Sequence, residues 1–123
     1  MSCHTDGTRP DPTCTPGSVD TQNLQVICHT HTTSRRHVSR ADRLTIFQEY
    51  GIAPADRWKY KIDHLVPLEI GGSNAHSNLW PQLTESARVK DQYESLAHRR
   101  ICQGTLTPQE AQRAFMSDWT TIK

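Results

Sequence analysis

Long apolar runs are missing from this 123-residue chain, in which apolar residues amount to 34%. Nothing approaches the run of roughly 18 that a helix needs to cross a bilayer, so a soluble chain with no membrane partner is expected. Charge of one sign is also missing: 14 Lys and Arg face 13 Asp and Glu, for a formal net charge of +1. The sum is no nucleic-acid footprint, although the clusters Arg35-Arg36-His37, Lys59/Lys61 and His98-Arg99-Arg100 can concentrate positive potential on one face. Internal repeats and a hydrophobic leader are absent too; a leader is removed on export, so its absence says little about compartment. By length the chain is one domain with a modest core.

Cysteine is sparse but informative. Cys3, Cys14, Cys28 and Cys102 show no C-x-x-C spacing and no His pair at finger spacing, which argues against a structural zinc site. Disulfides are the better reading. Of three possible connectivities, the favoured one joins Cys3 to Cys14 in a Pro-rich arm and Cys28 to Cys102 across the fold. Free thiols in a reducing compartment are the alternative, disfavoured because Cys3 lies in an arm with little to bury it. Disulfides imply an oxidising setting, hence a secreted or periplasmic protein.

Residues 1–19 are rich in Pro, Gly, Thr and Ser and read as an irregular arm before a domain over 20–123. Asn23 to His29 suits a short strand or a helical turn. Ser39 is placed to cap a helix from Arg40 to Tyr50, closed by Gly51, with Leu44, Ile46, Phe47 and Tyr50 on its buried side. From Arg57 the period becomes two: Trp58, Tyr60 and Ile62 alternate with Lys59, Lys61 and Asp63, a strand with one apolar face. That alternation makes Trp58, Tyr60 and Trp80 core residues rather than base-stacking platforms. Gly71-Gly72-Ser73-Asn74 reads as a turn, and Asn78-Leu79-Trp80 as a return strand that Pro81 breaks. Glu85 to Cys102 is helical, with Val89, Tyr93 and Leu96 on one side and Asp91, Glu94 and His98 opposite. Thr107-Pro108-Gln109-Glu110 is a capping box opening a last helix through Trp119.

The run Asp63-His64-Leu65-Val66-Pro67-Leu68-Glu69-Ile70-Gly71-Gly72-Ser73-Asn74, with Asn78-Leu79 and a following helix, resembles the core of the HNH (His-Me finger) endonucleases. Asn78-Leu79-Trp80-Pro81, Lys90-Asp91 with Glu94, His98 with Ile101-Cys102, and Glu110-Ala111-Gln112 to Asp118-Trp119 extend it to a bacterial, often secreted HNH subfamily. The resemblance implies an α+β fold with a ββα-metal hairpin-helix core over about 57–102, and hydrolysis of DNA with little sequence preference, RNA being an open alternative.

Such hydrolysis needs water made nucleophilic near neutral pH, and His64 is the general base expected to do so. Asn78 is expected to hold the hairpin and steady the imidazole; beside Gly-Gly, Asn74 suits a turn role better. Negative charge developing on phosphate can be offset by a divalent cation, Mg2+ first, with Mn2+, Ni2+ or Zn2+ as alternatives. Asp63 is its first expected ligand. The family's usual second ligand position falls on Ala87, so Glu94 and His98, four apart on one helix face, are the expected replacements. A metal held by one carboxylate, water and phosphate is a further option, and Glu69 either pairs with an Arg or lies near the metal. Lys59, Lys61, Arg88, Lys90 and Arg99 are the expected backbone contacts, in a monomer. Because Ala87 leaves the ligand set incomplete, a disulfide-stabilised DNA- or partner-binding module without turnover is the competing expectation.

Overall fold

The computed structural model describes residues 2–123. Period-two alternation yields strand β1 (Tyr60–His64), which pairs antiparallel with β2 (Leu79–Leu83) in the register Tyr60↔Leu83 to His64↔Leu79. Among the described residues these two strands form the whole sheet. Helix α3 (Thr84–Cys102) follows β2 without a loop, so the hairpin-helix order is ββα inside an α+β fold.

Three further helices surround this unit. Asn23 accepts from the Gln25 and Val26 amides to start α1 (Leu24–His29). Reciprocal capping boxes, Ser39 with Asp42 and Thr107 with Glu110, start α2 (Arg40–Glu49) and α4 (Pro108–Ser117). Ile27, Ile46, Val66, Ile70, Leu79, Trp80, Ala97 and Phe115 meet in one core that all these elements share. No described helix is long and apolar enough to cross a membrane.

The strand starts later than the alternation suggests. Pro54–Lys59 forms a 3-10 turn with Pro at its start, and its threefold period turns the Trp58 side chain outward, leaving that residue 78% exposed. The core assignment of Trp58 is thus overturned, whereas Trp80 is fully buried. Pro81 does not break the return strand; it sits inside β2 opposite Ile62. In a two-stranded sheet each strand has a free edge, where a missing N–H costs no ladder bond.

Between the strands, residues 65–78 run through two 3-10 turns, Leu68–Ile70 and His76–Asn78. Gly71 closes the first at φ 99°, and a Cβ on Gly72 would lie 1.8 Å from the Val66 carbonyl oxygen, so neither position admits a side chain. At Gly71 a Cβ would meet the Thr21 carbonyl oxygen, so the bare backbone there lets the N-terminal segment dock: Val19 bridges to Gly72, the Asp20 amide donates to the Gly71 carbonyl and the Gly17 amide to that of Ser77. The arm is irregular yet part of the core, with Thr15 and Cys3 buried.

Both expected disulfides are present, Cys3–Cys14 and Cys28–Cys102. The second closes 74 residues and ties α1 to the end of α3, constraining the unfolded chain by roughly 4 kcal/mol in the loop-entropy account.

The buried stripe of α3 differs most from expectation. Ala87, Lys90, Ala97 and Ile101 face the core, with Glu94 between them, while Val89 is 49% exposed. On α2, Leu44 is likewise exposed while Ile46 and Tyr50 are buried. A hydropathy reading of α3 puts Lys90 in solvent; the fold buries it because three oxygen acceptors await its ammonium.

Candidate active site

Asn78, fully buried, is the joint of the β1–β2 connection. Its Oδ1 accepts from the Val66 amide at 2.9 Å and the Ser18 amide at 3.2 Å, while its Nδ2 donates to the Val66 and Ser73 carbonyls at 3.0 and 2.8 Å. Four bonds to three segments fix the loop's path, and they use the whole amide. The Asn78 side chain therefore has no hydrogen bond for the imidazole.

The imidazole's partner is Asn74. Nε2 of His64 lies 3.1 Å from Asn74 Oδ1, which also accepts from the His37 amide at 3.1 Å, while Asn74 Nδ2 donates to the Arg35 carbonyl at 2.7 Å. These backbone bonds orient the amide, so Oδ1 is an acceptor and His64 Nε2 carries the proton. A neutral His64 then keeps its lone pair on Nδ1. Burial holds its pKa below the ordinary 6.5, and the nearby Arg36 guanidinium acts in the same direction, against the bond to Asn74. At neutral pH the ring is in the base form.

Asn74 also explains why the 35–37 segment lies over His64. It grips that segment at two backbone atoms, and Arg35 Nη1 donates to the Leu68 carbonyl at 2.7 Å from the other side. Arg36 is left exposed, with no carboxylate within 4 Å among the described residues. With Thr32, Leu68, Glu69 and Glu94 it lines a pocket of about 150 Å3.

Inward from this pocket, beyond Glu94, the charges are closed upon themselves. Lys90 Nζ donates to Asp63 Oδ2 at 2.9 Å, to the His64 carbonyl at 2.8 Å and to Glu94 Oε2 at 2.7 Å, with its side chain fully buried. The ammonium also lies 5.3 Å from the Phe115 ring centroid and 5.6 Å from that of Trp119. Its pKa is raised because the attraction of Asp63 and Glu94 outweighs desolvation. One ammonium faces several carboxyls, and burial pushes Glu94 up to about 8, with Glu69 raised for the same reason. Asp63 and Glu94 thus share the one buried ammonium of Lys90.

Lys90 is therefore no phosphate contact, because its three donors are used inside the fold. Nor do Asp63, Glu94 and His98 gather as a ligand set: Lys90 lies between the two carboxylates, and His98 Nε2 donates to the Ile27 carbonyl at 3.0 Å. Among the described residues no three His, Cys, Asp or Glu side chains form a group suited to a metal ion. As arranged, these residues do not fit a divalent cation.

The remaining basic residues are on the surface. Lys59 pairs with Asp56 and exposed Arg88 with Glu85, while Lys61 and Arg99 are exposed. What sequence reasoning missed was Asn74 as imidazole partner and Arg36 as neighbouring cation. The basic cluster was legible; its distance from His64 along the chain hid the electrostatic influence of Arg36 on the imidazole.

A comparison with protein-family models, curated proteins and solved structures finds no match to this chain.

Proposed function

We propose that this chain is an HNH-type endonuclease that hydrolyses phosphodiester bonds of DNA with His64 as general base. The observation that carries this reading is the His64–Asn74 pair on a ββα unit, with the Arg36 segment pinned over it. His64 Nδ1 takes a proton from water as the water attacks phosphorus, the P–O bond to the leaving sugar oxygen breaks and that oxygen takes a proton from solvent, and the imidazolium, stabilised by its Nε2–H bond to Asn74, returns its proton to solvent. Arg36 supplies positive charge where the phosphate oxygens gain negative charge, a contribution that grows in the transition state. The disulfides suit action in an oxidising compartment, so secretion belongs to the same proposal.

No step is assigned to a divalent cation, because the side chains expected to hold one are engaged otherwise. The measurement is nicking of supercoiled plasmid with Mg2+, with Mn2+ and with EDTA, for wild type and His64→Ala. Cleavage that depends on His64 supports the proposal; cleavage unchanged in His64→Ala removes it.

One observation favours a non-catalytic binding module: His64 is only 4% exposed, little access for a base acting on a polymer. Under that reading the protein retains nucleic acid on a gel without cutting it under any metal condition. The same plasmid series separates the two.

A further inference from the structure

Trp58 is the outlying side chain on this surface. A tryptophan 78% exposed is unusual for a residue with so much apolar area, and it contrasts with Trp80 and Trp119, at 0% and 6%. Its backbone is not loose. Pro54 starts the 3-10 turn that carries it, and Arg57 Nε donates to the Ile52 carbonyl at 3.2 Å, with its guanidinium over the Phe47 ring. The indole is therefore displayed by a fixed turn, which lowers the ordering cost of binding.

The surroundings specify what it would bind. Lys59 Nζ lies 5.8 Å from the Trp58 ring centroid, and the indole with Lys59, Leu83, Thr84 and Glu85 lines an open pocket of about 450 Å3. Lys59 is paired with Asp56, and Glu85 with Arg88. Lys61, the second residue of β1 and two positions beyond Lys59, is exposed and has no ion pair among the described residues. A flat apolar face beside cations matches a nucleobase and its phosphates, since base stacking is tolerant of sequence and phosphate contacts supply the charge. Duplex bases keep both faces stacked, so the matching partner is one with unpaired bases.

We infer that Trp58, with Lys59 and Lys61, is a stacking platform for single-stranded nucleic acid. This rests on the nuclease reading for its partner class. Strand β1 links the platform to His64, with roughly 13 Å between Tyr60 and His64. A strand stacked on Trp58 would thus run toward the base.

The test reads binding apart from cleavage. Emission of the wild-type chain is followed while a phosphorothioate oligothymidylate, which resists hydrolysis, is added. Trp80 and Trp119 are buried, so quenching reports mainly on Trp58. Expected are quenching in the wild type and, by anisotropy of an end-labelled oligothymidylate, which does not need the indole, an affinity lowered roughly 5- to 150-fold in Trp58→Ala with a smaller loss in Trp58→Phe. Thermal midpoints should be nearly unchanged, showing that both variants fold. Oligouridylate in parallel shows whether the platform distinguishes RNA. Equal affinity of Trp58→Ala and wild type, or equal quenching by blunt duplex, overturns the inference. So does quenching by anionic vesicles alone, which would make the indole a membrane contact. Plasmid cleavage without Trp58-dependent oligonucleotide binding would sink the platform and leave the nuclease standing. Trp58-dependent binding without cleavage would do the reverse.

Discussion

The two flanks of His64 carry charges of similar kind and use them in opposite ways. On one, Lys90 is sealed against Asp63, the His64 carbonyl and Glu94, and its own side chain is fully buried. On the other, the Arg35–His37 segment is held by its backbone on Asn74, and its Arg36 guanidinium remains exposed and without an ion pair among the described residues. Burial rather than residue type decides the role: an ammonium with three internal acceptors is scaffold, whereas a guanidinium with none is available to phosphate.

The largest expected effect comes from breaking the sealed flank. Lys90→Met leaves Asp63 and Glu94 buried without their cation and should cost about 3–5 kcal/mol in urea unfolding, with partial recovery on adding Glu94→Gln. If Lys90→Met folds with wild-type stability, the sealed flank is not structural.

On the open flank the loss should be in rate. Arg36→Ala is expected to lower plasmid nicking about 100-fold with an unchanged unfolding midpoint. Equal nicking would show that the cation near His64 does not meet phosphate. Asn74→Ala frees both the imidazole and the 35–37 segment, and should lower nicking roughly 10-fold while shifting the acid limb of the pH profile.

The flanks also differ in how they respond to pH. For Glu94 the folded pKa is raised from 4.5 to about 8, so its stabilising contribution is complete below 4.5 and lost as pH rises through about 8. His64 has the opposite sign: its pKa is lowered from 6.5, so its contribution is present above 6.5 and lost as pH falls through the lowered value. Glu94→Gln should flatten the alkaline decline in stability and leave the acid side alone. The acid limb of cleavage should lie below pH 6.5. The smallest effect is expected at exposed Arg99, where Ala should change stability by less than about 0.5 kcal/mol.

Local chemistry was largely legible in the sequence. The caps at Ser39 and Thr107, the later part of the strand expected from Arg57 and the glycine turn follow from neighbours, and the favoured disulfide pairing is the one present. Contacts between distant segments were not. Trp58 continues the strand's alternation on paper, but Pro54 sets a 3-10 turn that the alternation cannot register. Lys90 lies on a polar-looking face of α3 because hydropathy assigns it to water, while Asp63, 27 residues earlier, supplies the reason to bury it. Asn74 was judged by its glycine neighbours, yet its partners lie 39 and 37 residues before it.

The claim that His64 acts as a base is tested most directly by chemical rescue. His64→Ala should lose plasmid nicking, and added imidazole should restore part of it, with a pH dependence that follows the added base. Nicking by His64→Ala at the wild-type rate, without imidazole, would contradict the account.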